Sequence, residues 1–180
     1  MSTDAIVMLR EDHRQIRKLI RAYRAAGDGG AASPAGTRHA AADPAAKAEA
    51  VGRLLHLLSV HTYIEDEVMY PQVRRLLPQT GPAVLGFHEE HHVADVLAGE
   101  LAGMDPGDEA YDAKAGVLMD AVERHMAAEE GDWFPEVRRA VGRKELQGIG
   151  ARMAEARERA PEGPHRPLLR RLGDAMTGAR

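Results

Sequence analysis

The chain contains no cysteine. Disulfides, thiolate nucleophiles, zinc knuckles and Cys-held iron–sulfur clusters are therefore excluded, and the absence suits a reducing cytosol. Long apolar runs are missing too. Ile6-Val-Met-Leu9 is too short for the core of a signal peptide, and nothing approaches a membrane span. There is no sustained basic block and the formal net charge is -4, which argues against nucleic acid as a partner. Phenylalanine is scarce, with two residues against nine histidines, a ratio that directs attention to metal. Hydrophobic residues at 44% and charged residues at 29% read as a globular chain rather than a disordered one. At 180 residues it can form one domain with a sizeable core. A cytoplasmic monomer or weak homo-oligomer is expected, without membrane contact.

Two stretches carry the chemistry. His61-Thr-Tyr-Ile-Glu65 and His125-Met-Ala-Ala-Glu129 each hold an imidazole and a carboxylate four residues apart. On an α-helix that spacing leaves the side chains about 40° apart around the axis, one turn from each other. A single HxxxE is common by chance, but residues 61–77 lie over 125–141 without a gap. Both contain His, Glu, a following acid (Asp66, Glu130), an aromatic-Pro pair (Tyr70-Pro71, Phe134-Pro135) and Val-Arg-Arg. Upstream, Glu11-Asp12-His13-Arg14 resembles Glu89-Glu90-His91-His92. The chain is one helical hairpin written twice.

Apolar spacing predicts four long helices. Asp4 can cap the first, whose stripe is Ile6, Leu9, His13, Ile16, Ile20 and Tyr23, with Gly27 near its end. A Gly/Ala/Ser/Pro-rich loop over 27–43 holds His39. Asp43-Pro44 then starts a second helix with the stripe Val51, Leu54, Leu58, His61, Glu65 and Val68; His56 falls off the stripe and reads as surface. Pro71 should kink or end it. The third helix follows Gly81-Pro82 with Val84, Phe87 or His88, His91, Ala94, Ala98 and Leu101. The fourth carries Tyr111, Ala115, Leu118, Val122, His125 and Glu129, interrupted by Gly131 and Pro135. These predict an all-α, up-down antiparallel four-helix bundle over 1–142. Residues 143–180 read as a short C-terminal helical appendage, with one amphipathic helix over 143–159 and a further turn or two over 168–177.

In every stripe an inward position is His or Glu, which assembles His13, His61, Glu65, His91, His125 and Glu129. Burying these without compensation costs several kcal/mol each, by about the polar-transfer scale; two metal ions would compensate all of them. Imidazole with carboxylate suits iron and manganese. Two octahedral ions offer about twelve positions. Four terminal His, two bridging Glu and a solvent-derived oxo or hydroxo bridge leave roughly one open position per ion, where O2, peroxide or NO could bind. His88, three residues before His91, shares its face; if it also ligates, one ion is closed. His92 points to the outer face.

The order His, HxxxE, EEH, HxxxE, with aromatic-Pro after each HxxxE, resembles the hemerythrin-like family, the HHE cation-binding domain, over about residues 5–141. The resemblance implies a non-haem di-iron centre with His13, His61, His91 and His125 as terminal ligands and Glu65 and Glu129 as bridges. Oxygen-carrying hemerythrins have HxxxH on the third helix, whereas here His88-Glu-Glu-His91 is HxxH. Two functional readings follow. One is a catalase-like or other di-iron redox enzyme acting on H2O2, O2 or NO. The other is a protein for reversible O2 binding, sensing or iron storage, favoured if His88 is a fifth imidazole. A metal-free bundle is the third reading, opposed by the polar interior. Tyr63 and the methionines read as packing, Tyr23 and Tyr111 as packing or as groups near the metals. Tyr70, Trp133 and Phe134 read as a plug at the bundle end, and Asp66 and Glu130 as acceptors for imidazole N–H or as solvated acids.

Overall fold

A computed structural model describes residues 4–27 and 43–161. The expected loop with His39 and the expected turn over 168–177 lie outside them. The described residues are all-helical. Helix α1 spans Ala5–Gly27, and Asp4 Oδ1 accepts the Val7 N–H at its start. Helix α2 spans Pro44–Ile64, where Asp43 accepts the N–H groups of Ala45 and Ala46. Helix α3 spans Tyr70–Leu76, and a short 3-10 turn at Pro78–Thr80 leads into α4, Gly81–Ala102. Helix α5 spans Tyr111–Ala128, α6 spans Phe134–Ala140 and α7 spans Arg143–Arg157. The two hairpins pair α1 with α2 and α4 with α5. Among the described residues, no helix is long and apolar enough to cross a membrane.

The two prolines neither end their helices nor simply interrupt them. A π-helical turn, Glu65–Met69, joins α2 to α3, and a second, Glu129–Trp133, joins α5 to α6. Proline lacks an N–H and its ring crowds the carbonyl four residues back. Widening the turn relieves this: the Tyr70 N–H bonds to the Glu65 carbonyl and the Phe134 N–H to the Glu129 carbonyl, five residues back. On an α-helix, residues five apart face about 140° away from each other. The extra residue in the π turn lets Glu65, Met69 and Tyr70 all be fully buried, and likewise Glu129, Trp133 and Phe134 at no more than 3% exposure.

The apolar core comes in two clusters. One gathers Leu9, Ile64, Met69, Val84, Phe87 and Trp133 at one end; the other gathers Ile16, Ile20, Leu54, Leu118 and Met126 toward the other. On α1, α2 and α4 the histidine falls between them in sequence, and on α5 His125 stands one residue before Met126, where the second cluster ends. Helix α7 belongs to the first cluster through Leu146, Ile149, Met153 and Ala156, so its two glycines, Gly148 and Gly150, are outweighed by packing. Burial of each large apolar side chain contributes roughly 1.5–3 kcal/mol. At the opposite end the Tyr23 hydroxyl donates to Asp112 at 2.6 Å, and Lys47 bonds the other Asp112 oxygen at 2.6 Å. This ties α1, α2 and α5 together and assigns Tyr23 to that end rather than to the imidazoles. Replacing Ile149 by Ala should lower unfolding free energy by about 2–5 kcal/mol in urea titration, the cost of a core position.

Candidate metal centre

Four helices deliver the six stripe residues to one layer. His13 comes from α1, His61 from α2 with Glu65 at the start of its π turn, His91 from α4, and His125 from α5 with Glu129 at the start of the second π turn. None is more than 6% exposed. Their donor atoms form two groups, each with all atoms within 4.8 Å of one another: His13, His61, Glu65 and Glu129, and Glu65, His91 and His125. Glu65 belongs to both. Its Oε2 lies 3.2 Å from His61 Nε2 and 3.4 Å from His91 Nε2. Glu129 Oε2 also faces both groups, 3.3 Å from His13 Nε2 and 3.6 Å from His125 Nε2.

These atoms fit metal ions on two counts. First, His13 Nε2, His61 Nε2, both Glu65 oxygens and Glu129 Oε2 are buried without a hydrogen-bond partner. Leaving such atoms unsatisfied costs roughly 1–3 kcal/mol each, more for charged groups. Second, the spacing is that of neighbouring donors on one ion. Nitrogen donors bound about 2.0–2.1 Å from a metal stand about 3 Å apart when adjacent, and His91 Nε2 and His125 Nε2 are 3.1 Å apart. Two imidazole nitrogens at that distance share at most one proton, whereas two neutral donors can share a cation.

A ring of carboxylates lies behind the imidazoles. Glu130 Oε1 is 2.7 Å from His13 Nδ1, Asp66 Oδ1 2.9 Å from His91 Nδ1, and Glu90 Oε2 2.7 Å from His125 Nδ1. Asp12 Oδ2 stands 3.5 Å from His61 Nδ1, in ion-pair range but too long for a formed hydrogen bond. An acceptor at Nδ1 fixes the tautomer and leaves Nε2 free toward the centre. Arg17 holds Glu130 through two bonds, at 2.9 and 3.1 Å. The ring obeys the sequence repeat: Asp12 and Glu90 precede the histidines of α1 and α4, while Asp66 and Glu130 follow the two glutamates.

Electrostatics in the layer is strongly coupled. Burial, reinforced by the Glu129 charge, pushes the Glu65 carboxyl well above its ordinary range. At Glu129 burial acts the same way, but His125 and His13 outweigh it and hold that carboxyl low. Two carboxylates in one dry layer therefore do not both ionise readily. Burial also pushes His61 down to about 4, against the opposing pull of Asp12. At Asp66 burial is outweighed by His88 and His91, and its pKa sits at about 2.

All six stripe residues thus meet, whereas His88 belongs to neither donor group; its Nδ1 lies 2.9 Å from Asp66 Oδ1. Asp66 and Glu130 act as imidazole partners rather than solvated acids. Tyr70 is more than a plug: its hydroxyl donates to Glu129 Oε1 at 2.8 Å and lies 3.5 Å from His91 Nε2. Helical periodicity hid it, because only the π turn brings it inward. Asp12 and Glu90 were legible as acids preceding a ligand-type His, but their partners come from other helices. Glu65 yields a pH test in the metal-free chain. Its raised folded pKa makes folding less favourable as pH rises above the ordinary value of 4.5. Glu65→Gln should then gain on the parent by up to ~1.4 kcal/mol per pH unit as pH rises above 4.5, until the folded carboxyl ionises. Urea titrations across that range check it, and a margin that shrinks with pH would refute it.

Residues 4–137 match the hemerythrin HHE cation-binding domain. No curated protein matches the sequence. The fold is similar to the crystal structure of a hemerythrin HHE cation-binding domain-containing protein from Mycobacterium kansasii. The TM-score is 0.63 at 22% identity, over 87% of this chain and 86% of that one. The His/Glu layer, the duplicated hairpin and the match over most of the sequence lead to one conclusion: this chain belongs to the hemerythrin HHE cation-binding domain family.

Proposed function

We infer that the protein holds two iron ions in the His/Glu layer and turns over a small oxidant, with H2O2 the leading substrate and O2 or NO the other small ligands. The observation that carries this reading is a cavity of about 20 Å³ beside His61, His91 and His125. It is lined by Leu58, Ala94, Ala121, Val122 and Met126, with Thr62 and Glu90 as further polar groups. A single water needs at least about 10–15 Å³ on this measure, so the space suits a molecule of one or two heavy atoms. The neighbouring donor group has three members against four in the other, which favours an open position on the cavity side.

A bound iron pair would supply the redox equivalents. The chain's own residues supply the rest. The apolar lining limits bulk water around the ligand. Tyr70 can give a hydrogen bond at the edge of the layer, where it contacts Glu129 and His91; burial, with the Glu129 and Glu65 charges, pushes its pKa up, so it keeps its proton. Glu90 joins the cavity to solvent, since it lines the one and exposes 52% of its side chain to the other; it also holds the His125 ring through Nδ1. Reversible carriage was tied to His88 as a fifth imidazole, and its contact with Asp66 outside both donor groups supports turnover instead.

Iron quantitation and stopped-flow mixing of the iron-loaded protein with H2O2, O2 and NO test the reading. Peroxide consumption is expected; a stable oxygenated absorption band with no consumption of peroxide would overturn it in favour of a carrier. His61→Ala and Glu129→Ala should each lower bound iron and destabilise the loaded fold by several kcal/mol, since metal affinity is about as much folding energy as binding energy. Ala121→Leu, which fills the cavity, should retain iron yet slow peroxide consumption by roughly tenfold or more.

A further inference from the structure

The repeat relates Asp12 behind His61 to Glu90 behind His125, yet the two acids live in different surroundings. The Glu90 side chain is 52% exposed and that of Asp12 only 5%. The cause is α7. After the first hairpin the chain passes through Pro78–Thr80 directly into α4, whereas after the second it turns back as α7 and packs on α1, α2 and the first π turn. The last residue of α7 is Arg157, and its Nη2 donates to Asp12 Oδ2 at 2.6 Å. Asp12 Oδ2 is in turn the oxygen that faces His61 Nδ1 at 3.5 Å, and His61 Nε2 faces Glu65 at 3.2 Å. A row of facing polar groups thus runs from the surface of α7 to the centre of the layer, with one hydrogen bond at its outer end and ion-pair contacts further in. Arg157 lies outside residues 4–137, the extent of the family match.

We propose that Arg157 is a positioning residue of the metal centre: by anchoring Asp12 it holds His61 with Nε2 toward the ions, making the His13/His61 position the closed, firmly held one. The His91/His125 position, backed by Asp66 and by the half-exposed Glu90, is left as the open one. This rests on the metal-pair reading above. The physical logic is that a buried carboxylate needs a fixed cation to stay ionised and in place. Asp12 has that cation because α7 covers it. An ionised Asp12 in a fixed position orients the imidazole and raises its basicity as a donor. The two ion positions thereby become inequivalent in a protein whose sequence writes them nearly alike.

Arg157–Asp12 could instead only fasten α7 to α1, and the fold contains the control for that. Arg138 on α6 grips the buried Asp4 at the start of α1 through bonds of 2.6 and 2.9 Å. The pairs are alike in chemistry, but Arg138 is bonded to an acid at the start of α1 and not to one that faces an imidazole of the layer in a described ion pair. The experiment loads the full chain with iron and follows its release to excess chelator, alongside urea unfolding. In Arg157→Met one of the two ions should leave roughly 10–100-fold faster, the range for lost partners of ligating imidazoles, while the other keeps its rate. Arg157→Lys, which retains a donor and the charge, should recover most of the slow release. Asp12→Asn should reproduce the fast phase if Arg157→Met folds poorly. Arg138→Met should lower the urea midpoint and leave both release phases unchanged. Equal release from Arg157→Met and Arg138→Met would overturn the proposal while leaving the metal reading intact. A parent chain that takes up no iron overturns both.

Discussion

Six buried groups, four imidazoles and two carboxylates, sit between two apolar clusters with several donor atoms facing one another and no hydrogen-bond partner. A packed helical core tolerates such a layer only when cations or protons neutralise it. The opposite shifts of Glu65 and Glu129 express the conflict: burial pushes one carboxyl up, while the imidazoles hold the other down. Metal ions would remove the conflict by letting both glutamates ionise and the Nε2 atoms donate. The rest of the fold serves to bring these atoms within a few ångströms of one another and keep them there.

The π turns are part of that arrangement. Each begins at a glutamate of the layer and precedes a proline. Proline makes an α-helical turn unfavourable at that point, and the wider turn rotates the following residues so that the glutamate and the aromatic five places later both face inward. In the first hairpin the aromatic is Tyr70, whose hydroxyl bonds Glu129. In the second it is Phe134, which stacks on His13 at 5.7 Å. One backbone device thus delivers a polar contact on one side of the layer and an apolar cover on the other.

The repeat also sets up the outer acids, and the tertiary fold then breaks their symmetry. Glu130 is clamped by Arg17, Asp12 is covered by α7 and Arg157, Asp66 is shared between His91 and His88, and Glu90 is half-exposed beside the cavity. The acids behind His13 and His61 are held by arginines. The cavity lies beside both imidazoles of the other group, His91 and His125, and beside His61. Site differentiation on this pattern needs no change in the donor residues themselves.

The primary structure determined the helical class, the duplicated hairpin and the inward placement of all six His and Glu residues of the layer, because each depends on local periodicity: a His or Glu at a stripe position of an apolar helix face must face inward. It also marked the acids next to those donors. It did not determine which acid serves which imidazole, since every such pair joins different helices, nor that Tyr70 turns inward, since that depends on hydrogen-bond slippage around a proline. The position of His88 on Asp66, and the reach of Arg157 to an aspartate 145 residues earlier, were likewise decided only when the helices packed. Spacing along one helix fixes which way a side chain faces; what it meets there is set by the neighbouring helix.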